Sequence, residues 1–126
     1  MTDLCNYYFK IISMISNHIN YVEFKAEDLV KTKNFYQQSF DWSFTDYGPT
    51  YTAFSESGLQ GGFELTDEKI INGALVVLYH TDLSKSKDKV IKAGGTISKE
   101  IFSFPGGSRF HFVDPSGNEL AVWSDK

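Results

Sequence analysis

Residues Ile19 to Lys25 alternate apolar and polar side chains, the period of a half-buried strand. Asp28 follows, and its side-chain oxygen suits a helix N-terminus. Leu29, Tyr36 and Phe40 then recur at spacings of seven and four, one helical stripe. Trp42 to Thr45 reads as the next strand, Tyr47-Gly48-Pro49 as a turn, and Tyr51 to Ser55 alternates again. Ser57-Gly58 turns the chain into a strand over Leu59 to Leu65. Gly73 to Tyr79 is a further strand. Asp82 caps a helix that reaches about Ala93 and ends at Gly94-Gly95. Thr96 to Phe102 is extended, Phe104-Pro105-Gly106-Gly107 is a loop, and Ser108 to Val113 is extended. Asp114-Pro115-Ser116-Gly117-Asn118 is a tight turn, and Glu119 to Trp123 is the last strand.

The same plan is written twice. Val22 through Lys31 and Val76 through Lys85 each hold an extended apolar run, an Asp-Leu pair and a Lys-bearing helical stretch, with Asp28 and Asp82 54 positions apart. A repeat of this length in so short a chain implies two similar supersecondary units packed into one domain. The expected units are module one, about 16–66, and module two, about 72–124. Any ligand site is expected between them.

Composition narrows the class. The 126 residues are enough for one domain with a core, and 41% apolar and 16% aromatic content marks a globular chain. A net charge of −4 without a basic run argues against nucleic acid or an anionic membrane as partner. One cysteine, Cys5, leaves no intrachain disulfide and no Cys-based zinc site, so a cytoplasmic setting is the default. Residues 1–13 are apolar but too short to span a membrane and lack the basic start and cleavage site of a signal peptide. They read as an N-terminal extension before a domain over 14–126. That extension is either poorly packed or an added edge strand or dimer contact.

Parity divides the strand residues between two faces. Val22, Phe24, Phe110, Phe112, Leu120 and Val122 form an apolar set suited to packing under the helices. Tyr21, Glu23, Tyr51, Leu75, Val77, Tyr79, Arg109, His111, Glu119, Ala121 and Trp123 share the other parity. Gln60, Gly62 and Glu64 share one face in their strand. Carboxylates, an arginine, a histidine and aromatic rings on one face suit a small-molecule pocket. A solvated face with paired charges would read the same way.

The sequence resembles the vicinal oxygen chelate superfamily, which includes glyoxalase I, the bleomycin-resistance proteins and the extradiol dioxygenases. The resemblance runs from about residue 16 to the end. It rests on Tyr21-Val22-Glu23-Phe24 leading to Asp28-Leu29, on Asn34-Phe35-Tyr36 before Phe40-Asp41-Trp42, on Asp82-Leu83, and above all on Phe110-His111-Phe112-Val113-Asp114-Pro115-Ser116-Gly117-Asn118-Glu119-Leu120. The first half is also similar to a glyoxalase-like branch reading Trp42…Tyr47-Gly48-Pro49…Tyr51…Phe54…Gly61-Gly62-Phe63, which has Gly where this chain has Asp41. The resemblance implies an α+β fold of two βαβββ modules forming an eight-stranded cupped mixed sheet. Metal-dependent members bind a divalent cation there, with one ligand on the first and last strand of each module. The metal polarises vicinal substrate oxygens and a carboxylate can move the proton.

At the four ligand positions the resemblance fails. The first, seven residues before Asp28, is Tyr21, and its counterpart is Leu75. The last-strand position, three residues after Asn118, is Ala121. The fourth is Gly62, or Glu64 in a register two residues later. At best one donor of four survives, so the expectation is no metal and no other cofactor. Glu23 is a candidate base or anchor for a cationic group, or an ion-pair partner of Arg109. Arg109 can clamp a carboxylate or phosphate. His111 can shuttle protons or be structural. Glu119, at a strand start, reads as solvated. The candidate catalytic residues are therefore Glu23 and His111, and the candidate ligand contacts Tyr21, Tyr51, Glu64, Tyr79, Arg109 and Trp123.

The expected activity is small-organic-molecule binding in the style of the bleomycin-resistance members. The alternatives are a lactoylglutathione lyase-like lyase or isomerase acting on an activated carbonyl compound with Glu23 or His111 as base, and a dimeric scaffold without ligand. A homodimer is expected, because pairing would protect long sheet edges.

Overall fold

The computed structural model describes residues 14–126; the expected extension over 1–13 lies outside the described residues. The chain forms two compact units, residues 21–75, and residues 76–126 with the segment before Tyr21. Eight strands and two helices are described, the α+β class expected: β1 (Ile19–Ala26), α1 (Leu29–Phe40), β2 (Ser43–Asp46), β3 (Tyr51–Ser55), β4 (Gly61–Leu65), β5 (Ala74–Tyr79), α2 (Leu83–Lys92), β6 (Thr96–Phe104), β7 (Gly107–Val113) and β8 (Glu119–Ser124). Among these residues no helix is long and apolar enough to cross a membrane.

The first module is one βαβββ unit with strand order β2-β3-β4-β1. β1 runs parallel to β4, while β2–β3 and β3–β4 are antiparallel. α1 starts where Asp28, in extended conformation, accepts the Lys31 amide at 3.0 Å. It ends at Asp41, which takes left-handed angles of φ 60° and ψ 27°. That conformation usually calls for glycine and is tolerated by Asp, so the Asp41 departure lies at a helix cap and leaves the helix end intact. Phe54, Phe63 and Ala26 form the core, with Val22, Phe24, Leu29, Tyr36, Trp42 and Phe44 packed against them. Tyr36 stacks on Trp42 at 4.6 Å, and Trp42 meets Phe54 at 4.7 Å. Phe40, assigned to the same helical stripe, is 57% exposed and meets the Tyr36 and Trp42 rings of this cluster and the Phe35 ring outside it.

The second module repeats the plan with order β5-β8-β7-β6, β5 parallel to β8 and the remaining pairs antiparallel. Asp82 caps α2 through the Lys85 amide at 3.1 Å, and Gly94 follows the helix at φ 101°. Leu83, Phe110 and Val122 make the core, joined by Leu78, Val90, Ile97 and Phe112. Phe110 is fully buried; truncating a side chain so placed costs about 3–5 kcal/mol.

The Asp114–Asn118 turn joins β7 to β8 by side-chain chemistry. Asp114 Oδ1 accepts the amides of Ser116 and Asn118 at 2.8 and 2.9 Å, and Oδ2 accepts Asn118 Nδ2 at 2.9 Å. These bonds, led by those from Asn118, hold the Asp114 carboxyl below its ordinary range. Gly117 sits at φ 97°. Each residue of the motif thus has a local task.

Two boundaries differ from expectation by two residues, the others by one at most. β4 begins at Gly61, not Leu59: Glu56 and Gly58 both have positive φ, and the Ser57 hydroxyl bonds the Leu59 carbonyl at 2.5 Å, which keeps Leu59 in the turn. β6 extends to Phe104 because Phe102, Ser103 and Phe104 pair with Arg109, Ser108 and Gly107.

Candidate functional site

Each module has one sheet face under its helix and one facing away. In the first, Val22, Phe24 and Phe63 pack toward α1, so Tyr21, Glu23, Lys25, Gly62, Glu64 and Tyr51 lie on the other face. The register confirms the grouping: Glu23 pairs with Gly62, Lys25 with Glu64 and Tyr51 with Glu64.

On that face Tyr51 joins two of the other candidates. Its hydroxyl lies 2.5 Å from that of Tyr21 and is hydrogen-bonded to Glu23. A carboxylate accepts only, so Tyr51 donates to Glu23 and accepts from Tyr21. Glu23 is buried, 5% exposed. Burial, then the charges of Tyr21 and Glu23, push the Tyr51 phenol far above its ordinary range. Its ring lies over Gly62, where a Cβ would stand 2.5 Å from the Tyr51 hydroxyl oxygen and 2.7 Å from the Thr52 carbonyl oxygen. Glu64 stands apart from this group and pairs with Lys25 at 3.1 Å, both side chains about 40% exposed.

In the second module Phe110, Phe112 and Val122 face α2, and Arg109, His111, Ala121 and Trp123 take the opposite face, with Arg109 paired to Trp123 and His111 to Ala121. The parity assignment therefore holds within each module. The Arg109 guanidinium lies over the rings of Phe102 and Phe104, 5.4 and 5.7 Å from their centroids. His111 is 4% exposed. Its ring is 5.8 Å from Phe102, and its Nδ1 is 3.5 Å from Glu119 Oε2. Neither ring nitrogen has a hydrogen-bond partner among the described residues. Burial first, then Arg109 and Lys99, push the imidazole down to about 4, against an opposing pull from Glu119; at neutral pH it is uncharged. Tyr79 and Trp123 meet edge to face at 5.3 Å. Tyr79 donates to Asp125 at 2.5 Å, and Trp123 Nε1 donates to Asn20 at 3.1 Å.

Phe102, Phe104 and Glu119 were not among the expected site residues. The two rings fell in a stretch read partly as loop, and Glu119 was read as solvated. Glu119 is exposed, as expected, and from there accepts the Ser98 hydroxyl at 2.8 Å and approaches His111. Its parity with His111 and Ala121 was the signal available.

The four positions that carry metal ligands in metal-dependent relatives do not fit an ion. Leu75, Gly62 and Ala121 bring no donor, the space over Gly62 is taken by Tyr51, and the Tyr21 hydroxyl is engaged with Tyr51. Among the described residues no group of three or more His, Cys, Asp or Glu side chains is arranged to hold a metal.

Comparison with known proteins agrees with this architecture. A solved structure described as an NAD-dependent benzaldehyde dehydrogenase from Legionella pneumophila superposes with a TM-score of 0.69 at 20% identity, over 85% of this chain and 99% of that one. The Mn(II)-bound glyoxalase from Novosphingobium aromaticivorans gives 0.65 at 22% identity, over 87% of this chain but 39% of that one. Methylmalonyl-CoA epimerase from Mycobacterium tuberculosis gives 0.66 at 11%, over 86% and 88%. Identities this low speak to fold alone. No curated protein matches the chain. The model of the Glyoxalase/Bleomycin resistance protein/Dioxygenase superfamily matches residues 18–122, and the chain belongs to that superfamily.

Proposed function

We propose that the protein binds a small anionic organic molecule on the sheet face of the second module turned away from α2, using polar side chains in place of the metal of its metal-dependent relatives. The observation that carries this is His111: a buried imidazole whose Nε2 lacks a hydrogen-bond partner among the described residues, on the same strand face as Arg109. A buried polar group left without a partner costs about 1–3 kcal/mol, and a ligand atom that meets it recovers that cost. The Arg109 guanidinium, its plane backed by Phe102 and Phe104, adds the charge that selects a carboxylate or phosphate.

Native mass spectrometry of the purified chain, followed by titration with small carboxylates, tests the reading. Arg109→Ala is expected to weaken binding of an anionic ligand by about 1.5–3 kcal/mol. Unchanged affinity in that variant, or no small-molecule adduct with any anion tried, would leave Arg109 and His111 as structural residues.

A second reading is a lyase or isomerase with Glu23 or His111 as base. The Tyr21–Tyr51–Glu23 chain of hydroxyls and carboxylate favours Glu23 in that role, since it offers a route for a proton off the carboxylate. His111 is the poorer base, being held near 4 when proton abstraction is most efficient near the working pH. Binding therefore stands ahead of catalysis.

A further inference from the structure

We infer that Glu119 is a positioning residue for His111, holding the imidazole, on the face away from α2, in the tautomer protonated at Nδ1 so that the buried Nε2 is left bare as a hydrogen-bond acceptor. The inference rests on the reading of that face as the ligand site, and it adds a requirement on the ligand: next to the anionic group held by Arg109 it carries an N–H or O–H donor.

The geometry comes from the β7–β8 register. His111 stands opposite Ala121, and Val113 opposite Glu119, so Glu119 is the diagonal neighbour of His111 on one sheet face, within reach of a long side chain. The other two positions of this diagonal on the same face are Val113 and Ala121, and Ala121 is fully buried. The Glu119 carboxylate is fixed from the other side by the Ser98 hydroxyl, which donates to the same Oε2 that faces His111. At 3.5 Å the Nδ1–Oε2 approach is a directed charge contact, longer than an ordinary hydrogen bond. It is nevertheless sufficient to select between tautomers that differ only in which nitrogen carries the proton. A carboxylate accepts and cannot donate, so the proton belongs on the nitrogen that faces it, and the other nitrogen keeps its lone pair. Arg109 and Lys99, the cations acting on the ring, oppose a second proton and keep Nε2 bare.

Nitrogen NMR of the full-length, 15N-labelled protein tests this without any ligand, with the His111 signals assigned through His111→Gln. At neutral pH the wild-type ring is expected to show a protonated Nδ1 and an unprotonated Nε2. In Glu119→Ala the preference is expected to be lost, the two nitrogens moving toward equal, averaged shifts, whereas Glu119→Gln, whose amide oxygen can still accept, is expected to keep it. A wild-type ring protonated at Nε2, or a Glu119→Ala spectrum unchanged from wild type, would overturn the inference. Because the tautomer is read from the protein alone, its failure is distinguishable from a failure to find a bound anion.

Discussion

The hydroxyl oxygens of Tyr21 and Tyr51 lie 2.5 Å apart, joining β1 to β3 across the intervening strand β4. With Glu23 they make a directed chain in which Tyr51 is the middle member, donating to the carboxylate and accepting from Tyr21. Removing the Tyr51 hydroxyl breaks its bonds to both Tyr21 and Glu23, whereas removing the Tyr21 hydroxyl leaves the Tyr51–Glu23 bond in place. Tyr51→Phe is therefore expected to destabilise the protein more than Tyr21→Phe, by about 1–3 kcal/mol against roughly 1 kcal/mol. The double variant should fall short of the sum, because both substitutions touch the same bond. Urea unfolding of the three variants measures this, and equal losses for the two single variants would show that Tyr51 is not the bridge.

Gly62→Ala is expected to cost about 1–3 kcal/mol, the range for forcing extra atoms into a packed site. The new methyl group would meet the Tyr51 hydroxyl and the Thr52 carbonyl well inside contact distance. Strand backbone on one side and a hydrogen-bonded phenol on the other leave it little room. A denaturation midpoint within error of wild type would show that Tyr51 swings aside freely.

Acid should destabilise the fold through His111. Its folded-state value of about 4 lies below the ordinary 6.5. The neutral ring therefore contributes stability that is complete above about pH 6.5 and is lost as pH falls toward about 4, because the unfolded chain takes up the proton first. The full effect is at most about 3 kcal/mol. Unfolding free energies measured across that window should fall more steeply for wild type than for His111→Gln, and parallel curves would assign the acid sensitivity elsewhere.

Alkali acts through the phenols. Burial and neighbouring carboxylates raise Tyr79 to about 12 and Tyr51 further still. Their protonated forms contribute stability that is whole below about pH 10 and is lost as pH rises beyond it. Ultraviolet titration should show Tyr51 and Tyr79 ionising only late or on unfolding, and Tyr51→Phe should remove one late-ionising phenol.

We expect a homodimer, with a sedimentation mass about twice the chain's 14.3 kDa. Val30 and Phe35 on α1 are 65% and 56% exposed, apolar surface that association would cover. A mass of one chain at micromolar concentration would refute this.

Much of the fold was legible because its signals are local. Asp28 and Asp82 cap helices by bonds three residues long, and the Asp114–Asn118 turn is closed by its own side chains. Alternation placed Phe110 and Phe112 beneath α2 and Arg109 and His111 on the other face. Contacts made across strands were less legible. Nothing in the order of residues says that Tyr51 leans over Gly62, or that Arg109 lies against Phe102 and Phe104, because strand register decides both. Glu119 was read as solvated because a strand start is usually wet. It is exposed, and what the strand start does not show is its diagonal approach to His111, which the β7–β8 register decides.

The two glycines of β4 let one strand carry an aromatic ring on each side, Phe54 against Gly61 and Tyr51 against Gly62. This couples two positions in mutational history. A side chain able to bind a metal cannot be installed at position 62 while Tyr51 occupies the space above it, and Tyr51 cannot leave without breaking its bonds to Tyr21 and Glu23. Any route from this chain toward a metal-binding relative must therefore change position 51 before position 62, through an intermediate that has lost the hydroxyl chain and gained no donor in return.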